Sequence, residues 1–283
     1  MEGLETVSKH TTTHFLAANM NLSLRAGNGL RVSVRLKKAI VGSGREYSIL
    51  SHNEQSGRLI LDNEDVFLVM RPVGAFEMNE YFVACKKTGE AALIDSGESS
   101  SNYFSALAAQ HSYSIKHLIQ THAHIDHVTG LVATKEEYPD APVYLHPSEL
   151  PVYEQIEQQV RMFGVPCDAP LPPVDVFVEE GTGINVGGID LDIMLTPGHS
   201  PGSIVLFHNH AENPFAFVGD LIFEGSVGRT DLPGCNHADM QESVKRVCDW
   251  LPENSILLPG HMGVTTMGKE KKSNMYVRDW ANV

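Results

Sequence analysis

Cysteine is scarce in this sequence, and none of it is arranged for metal. Cys85, Cys167, Cys235 and Cys248 form no C-x-x-C pair and no zinc-ribbon spacing, which leaves free thiols in a reducing compartment as the simplest reading. Cys235 follows Gly234 and reads as a small loop thiol. Long apolar runs are also missing: no stretch is long enough for a secretory h-region or a membrane span. No stripe of cations is visible, and the net charge is -14, which argues against a phosphate-backbone ligand and against a nuclease. What remains is ordinary: 283 residues, 42% hydrophobic, with Gly and Pro spread as turn punctuation, enough for one sizeable globular core.

Acid is scarce only at the start. Over the first fifty residues Lys9, Arg25, Arg31, Arg35, Lys37, Lys38 and Arg45 oppose Glu2, Glu5 and Glu46, and Ser and Thr are frequent. This basic, hydroxyl-rich profile is that of an organellar transit peptide. Residues 1–55 are therefore expected to be a disordered leader, directed to a plastid in preference to a mitochondrion, with residues 56–283 as the functional domain.

Histidine is what the chain has in a pattern. Residues 121–130 read THAHIDHVTG, so His122, His124, Asp126 and His127 form an H-x-H-x-D-H run. Neutral ring nitrogens and a hard carboxylate oxygen suit zinc and ferrous iron. The apolar residues 115–119 before the run read as a buried strand, which puts these groups on a strand-to-helix loop. Three further places repeat the grammar of an apolar strand, a glycine and one ligand-type side chain. They are His199 in the turn TPGHSPG after 189–195, Asp220 in Gly219-Asp220 after 215–218, and His261 in Pro259-Gly260-His261 after 256–258.

In order, His122, His124, Asp126, His127, His199, Asp220 and His261 match the ligand pattern of the metallo-β-lactamase superfamily, which the chain resembles from about residue 59 onward. Within it the chain is most similar to the glyoxalase II (hydroxyacylglutathione hydrolase) type, on the loop FEGSVGRTDLPG at 223–234. The resemblance implies an αββα sandwich and two divalent metal ions, zinc or a mixed iron and zinc pair. It implies that His122, His124 and His199 hold one metal and Asp126, His127 and His261 the other, with Asp220 bridging. It further implies hydrolysis of a small-molecule thioester, S-D-lactoylglutathione or a related acyl-glutathione, by hydroxide shared between the metals, with Asp126 also orienting the water. Only twenty-odd residues follow His261, whereas glyoxalase II proper holds glutathione with a C-terminal helical domain, so those contacts do not carry over. Arg229 is a candidate for substrate carboxylates through its planar fork, against a structural pair with Asp231 or Glu224. Persulfide dioxygenases of the same superfamily also resemble the chain, including Gly228-Arg229-Thr230-Asp231, and imply a single ferrous iron on His122, His199 and Asp220. A metal-stabilised binding protein without turnover is the reading from another class.

Strands are expected at 66–70, 81–84, 91–94 and 143–145, several between 174 and 217, and one at 256–258. Helices are expected at 103–110, 131–138, 150–163 and 239–250. Two stacked sheets flanked by helices suit this order. Asp95 either orients a metal-loop histidine or caps the turn at Gly97, two readings the sequence leaves open. Thr121 and Thr129 are expected to satisfy backbone groups at the loop ends, and Tyr153, Met162 and Phe163 to pack a helix into the core in preference to lining an entrance.

Overall fold

The structure, a computed structural model, describes residues 19–25, 31–41, 45–50, 57–98 and 100–281, and the chain divides into two compact units, Met1–Ser56 and Gly57–Val283. In the first unit, β1 (Asn19–Arg25), β2 (Arg31–Val41) and β3 (Arg45–Leu50) form an antiparallel sheet in that order. The sequence alternates there, with Met20, Leu22 and Leu24 and then Val32, Val34 and Leu36 set between polar residues, the period that suits a strand. The leader expected over residues 1–55 lies partly outside the described residues, and its described parts carry strands where no regular structure is expected.

The second unit is built from two sheets whose central strands are buried on both faces. β4 (Arg58–Asp62), β5 (Val66–Val73), β6 (Met78–Cys85), β7 (Glu90–Ile94), β8 (Ser114–Ile119), β9 (Val143–Leu145) and β10 (Val176–Phe177) make one sheet, in the order β10-β9-β8-β7-β6-β5-β4. Neighbours from β4 to β7 are antiparallel, and those from β7 to β10 are parallel. Parallel pairs need crossovers, and α1 (Ser100–His111) provides the one between β7 and β8. Between β8 and β9 lie α2 (Ile125–Val128) and α3 (Leu131–Glu137), and after β9 come α4 (Leu150–Glu154) and α5 (Ile156–Phe163). The second sheet uses β11 (Gly183–Val186), β12 (Ile189–Leu195), β13 (Ile204–His208) and β14 (Phe215–Gly219). A small hairpin of β15 (Ile222–Phe223) and β16 (Ser226–Val227) follows. Then α6 (His237–Trp250) crosses over to β17 (Ile256–Pro259), parallel to β14, and β18 (Thr265–Thr266) completes the order β11-β12-β13-β14-β17-β18. The chain then runs into α7 (Met267–Ser273) and α8 (Met275–Ala281).

Alternation assigns each side chain to a layer. Leu68, Val83 and Ile94 of the first sheet meet Leu191, Leu206 and Phe217 of the second in a central core. The intervening residues Phe67, Phe82 and Leu118 pack outward on Phe104 of α1, Leu131 of α3 and Ile156 of α5. Val205, Phe207 and Val218 pack on Val244 and Val247 of α6 and Val277 of α8. The result is the expected αββα sandwich. Strands covered on both sides read as continuous apolar runs, and all of β6 is buried.

Two stretches differ from the sequence reading. The single helix expected over 150–163 is broken at Gln155, whose amide bonds Val152 O only three residues back, and a 3-10 turn, Pro147–Glu149, precedes it. Pro147 and Pro151 supply no amide donor, so the chain enters in short turns. The helices α7 and α8 were not expected, yet each has a cap: Thr266 Oγ1 accepts from Lys269 N, and Asn274 Oδ1 from Tyr276 N.

The two sheets are tied at the end where β17 stops. Asn79 Nδ2 donates to Pro259 O (3.0 Å) and Met262 O (2.9 Å), and Tyr81 Oη donates to Pro259 O (2.7 Å), all reaching from β6 across the sandwich. Asn79 is 1% exposed, so removing its amide breaks two shielded hydrogen bonds across the sandwich, with Tyr81 Oη left as the side-chain donor to Pro259 O. Asn79→Ala is expected to cost about 1–3 kcal/mol, read as a lowered urea midpoint. An unchanged midpoint would show that this tie contributes nothing to stability.

Candidate metal centre

All seven ligand-type residues expected from the sequence come together at one end of the sandwich, on the loops that follow β8, β12, β14 and β17. His122, His124 and His199 bring one ring nitrogen each within 4.8 Å of one another, as do the ligand atoms of Asp126, His127 and His261. Asp220 lies between the two groups: its Oδ2 is 3.3 Å from His199 Nε2 and 3.5 Å from His261 Nε2, and its Oδ1 is 3.5 Å from His127 Nε2. Within the groups, His124 Nδ1 is 2.8 Å from His199 Nε2, and Asp126 Oδ2 is 3.1 Å from His261 Nε2.

Glycine makes this approach possible. A Cβ at position 260 would lie 2.2 Å from Asp220 Oδ1 and 2.7 Å from His127 Cε1, and one at 228 would lie 1.9 Å from Asp220 O. Both distances to oxygen are too short for any other residue without displacing Asp220.

Four of the five imidazoles are oriented through the nitrogen that points away from the centre. Asp95 Oδ2 accepts from His127 Nδ1 (2.9 Å), Arg229 O from His199 Nδ1 (2.9 Å), and Phe76 O from His261 Nδ1 (3.0 Å). Thr121 Oγ1 donates to Asp95 Oδ2 (2.9 Å) and so offers its lone pair to His122 Nδ1 at 3.1 Å. Each bond assigns the proton to Nδ1 and turns a lone pair on Nε2 into the cluster. His124 alone presents Nδ1.

The open question at Asp95 is thereby answered. Besides His127 and the Thr121 hydroxyl, it accepts from Thr121 N (2.7 Å), whereas Gly97 N donates to Glu80 Oε1 (2.7 Å). It orients the metal loop and does not cap the Gly97 turn. Thr121 therefore links two side chains of the centre and does more than satisfy backbone, while Thr129 Oγ1 is buried without a hydrogen-bond partner. Arg229 makes the structural pair, Nε to Asp231 Oδ1 (2.6 Å) and Nη2 to Asp231 Oδ2 (2.9 Å), and only its carbonyl reaches the centre. Glu224 is taken by Lys269. The Cys235 thiol donates to His199 O at 2.9 Å and packs as a loop thiol. Tyr153 is core, whereas Met162 is exposed and the Phe163 ring meets exposed Phe76 edge-on at 6.4 Å.

Two residues that sequence reading missed hold the loops from behind. Gln159 of α5 accepts from Ile125 N (2.9 Å) and donates to Ala123 O (3.0 Å). Glu149 accepts from Ala123 N (2.9 Å), Gly202 N (2.7 Å) and Ser200 Oγ. Neither belongs to a ligand motif, and the loop groups they bond lie 26 to 53 residues away for Glu149 and 34 to 36 for Gln159, so no local signal marks them.

The electrostatics suit cations. Burial holds His122 well below the ordinary histidine range and His124 down to about 3, so both stay neutral with lone pairs available. Burial also opposes a cation on His127, but Asp126, Asp95 and Asp220 outweigh it and raise its pKa well above the usual value. Asp220 is itself held well below the carboxylate range, since His127 and His199 overcome its burial. Yet His122 Nε2, His127 Nε2 and Asp220 Oδ1 are buried with no hydrogen-bond partner. Orphaned nitrogens and a carboxylate oxygen facing one another fit divalent metal, which accepts all three. Asp126 and His261, with side chains 17% and 20% exposed, mark the open side.

Asp95→Asn tests the orientation. Its amide would face two donors at the Oδ2 position and turn the His127 lone pair outward, onto Nδ1. Metal affinity at the Asp126, His127 and His261 group is expected to fall by about 10–100-fold, read by competition with a chromophoric chelator. Wild-type affinity in the variant would contradict this role.

Comparison with known proteins agrees with the geometry. The sequence model of the metallo-beta-lactamase superfamily matches residues 77–261. An uncharacterized protein of Aquifex aeolicus is 36% identical, over 75% of this chain and 97% of its own length. Hydroxyacylglutathione hydrolase GloC of Haemophilus influenzae is 29% identical over 73% of this chain and 95% of its own. Among solved structures, TTHA1623 in a di-iron-bound form superposes with a TM-score of 0.64 at 34% identity, covering 73% of this chain and 98% of that one. Ligand order, sandwich topology and sequence likeness converge, and the chain belongs to the metallo-beta-lactamase superfamily.

Proposed function

We propose that the chain is a metal-dependent thioester hydrolase of the glyoxalase II type, acting on S-D-lactoylglutathione or a related acyl-glutathione. The observation that carries this reading is the convergence of two complete ligand groups on Asp220. Three ligands and a bridging carboxylate on each side match the needs of two divalent ions and exceed the needs of one. The name of the Haemophilus relative supports the substrate class, and the di-iron form of TTHA1623 supports the pair of metals.

His122, His124 and His199 would hold one ion, Asp126, His127 and His261 the other, and Asp220 both. When bound, such a pair lowers the pKa of a shared water toward neutrality and polarises the thioester carbonyl. The chain's own groups set the geometry around that chemistry. Neutral His122 and His124 close the buried side, while Asp126, accessible on the open side, is placed to accept a proton from an incoming water. His127 and His261 keep Asp126 ionised against its burial, as that task requires. A thiolate is a good leaving group, so no dedicated general acid is called for.

Purified metal-loaded protein is expected to release glutathione from S-D-lactoylglutathione without consuming oxygen, and to lose and regain this activity as a chelator and then metal are added. One tightly held iron per chain, with oxygen uptake on addition of glutathione persulfide, would replace this reading with that of a persulfide dioxygenase on His122, His199 and Asp220.

For residues 1–55 we propose an organellar leader, plastid-directed, on the strength of their basic, acid-poor composition. Full-length protein tagged at its C-terminus is expected inside the organelle and shortened. Uncleaved protein confined to the cytosol would rule the leader out.

A further inference from the structure

Glu149 is the least expected side chain near the centre. It ends the 3-10 turn Pro147–Glu149, it is fully buried, and it forms no ion pair among the described residues. A buried carboxylate without a cation is costly unless its lone pairs are filled. Three donors fill them: Ala123 N and Ser200 Oγ on Oε1, and Gly202 N on Oε2. The fit is close, since a Cβ on Gly202 would stand 2.4 Å from the Glu149 amide nitrogen.

The donors are chosen by position. Ala123 lies between His122 and His124, Ser200 follows His199 directly, and Gly202 lies three residues after it in the same turn. All three ligands of one group are thus held through one carboxylate, across a sequence gap of about 75 residues, where His124 Nδ1 and His199 Nε2 stand 2.8 Å apart. Nothing of the other group, Asp126, His127 and His261, bonds to it.

We propose that Glu149 is a positioning residue that builds the His122, His124 and His199 metal site selectively, by clamping the loop after β8 to the turn after β12. The clamp works because the group only accepts. Glutamine at this position would set an amide against at least one of the three donors, and alanine would release both loops. The proposal rests on the metal-binding part of the proposed function, and the test separates the two.

Metal content would be measured on wild type, Glu149→Gln and Glu149→Ala, by elemental analysis after equilibration with a competing chelator. The absorption of cobalt-loaded protein would report ligand geometry at each site. Wild type is expected to hold two ions. Glu149→Ala is expected to hold one, with affinity for the other weakened by about 10–100-fold and an unchanged spectrum from the retained ion, and Glu149→Gln to fall between. Should Glu149→Ala fail to fold, Ser200→Ala removes one donor and is expected to weaken the same single site to a smaller degree. Two ions bound with wild-type affinity in the variants, or equal weakening of both sites, would overturn the proposal and leave the metal reading standing. A wild type that takes up no metal would remove the reading beneath it.

Discussion

Charge balance at the strand ends governs this structure. Asp95, Asp126 and Asp220 meet five imidazoles at one end of the sandwich, and in a poorly hydrated pocket three carboxylates require positive charge close by. Protonation is one answer, and the carboxylates push His127 and His261 toward it. It cannot be the whole answer, because burial keeps His122 and His124 neutral and leaves their lone pairs facing the same carboxylates. Divalent metal meets both demands at once: it supplies the charge and accepts the lone pairs.

The rest of the fold serves that cluster by fixing which nitrogen each imidazole presents. The acceptors for the distal nitrogens come from four separate places: Asp95 after β7, Thr121 after β8, Phe76 in the turn between β5 and β6, and Arg229 in the loop after β16. No single loop therefore carries the site. Asn79 and Tyr81 of one sheet bond the carbonyls that flank Gly260-His261 at the end of the other, so the stacking of the sheets and the placement of the His261 loop are coupled.

The ligand-type residues that meet at this end were legible because each is marked locally: His122, His124, Asp126 and His127 by the H-x-H-x-D-H run, and His199, Asp220 and His261 by an apolar strand followed by glycine or proline. The layers were legible too, since runs such as residues 81–85 of β6 and residues 215–218 of β14 are apolar and buried on both faces. What was not legible depends on distance. Asp95 reaches His127 across 32 residues and Glu149 reaches Gly202 across 53, and no local pattern distinguishes a buried acceptor from a turn cap. Arg229 sits between these cases: its pairing with Asp231 is two residues long and was one of the readings the sequence allowed, but choosing it required the loop's geometry. Short elements escaped as well. The helices α7 and α8 have recognisable caps, but at seven residues each they offer too few turns for a periodic signal.

Anomalous diffraction from crystals of the metal-loaded protein tests the central claim most directly. The account predicts two peaks about 3.5–4 Å apart, one among His122, His124 and His199 and one among Asp126, His127 and His261, with Asp220 touching both. A single peak held by His122, His199 and Asp220, with the second group hydrogen-bonded to itself, would contradict it.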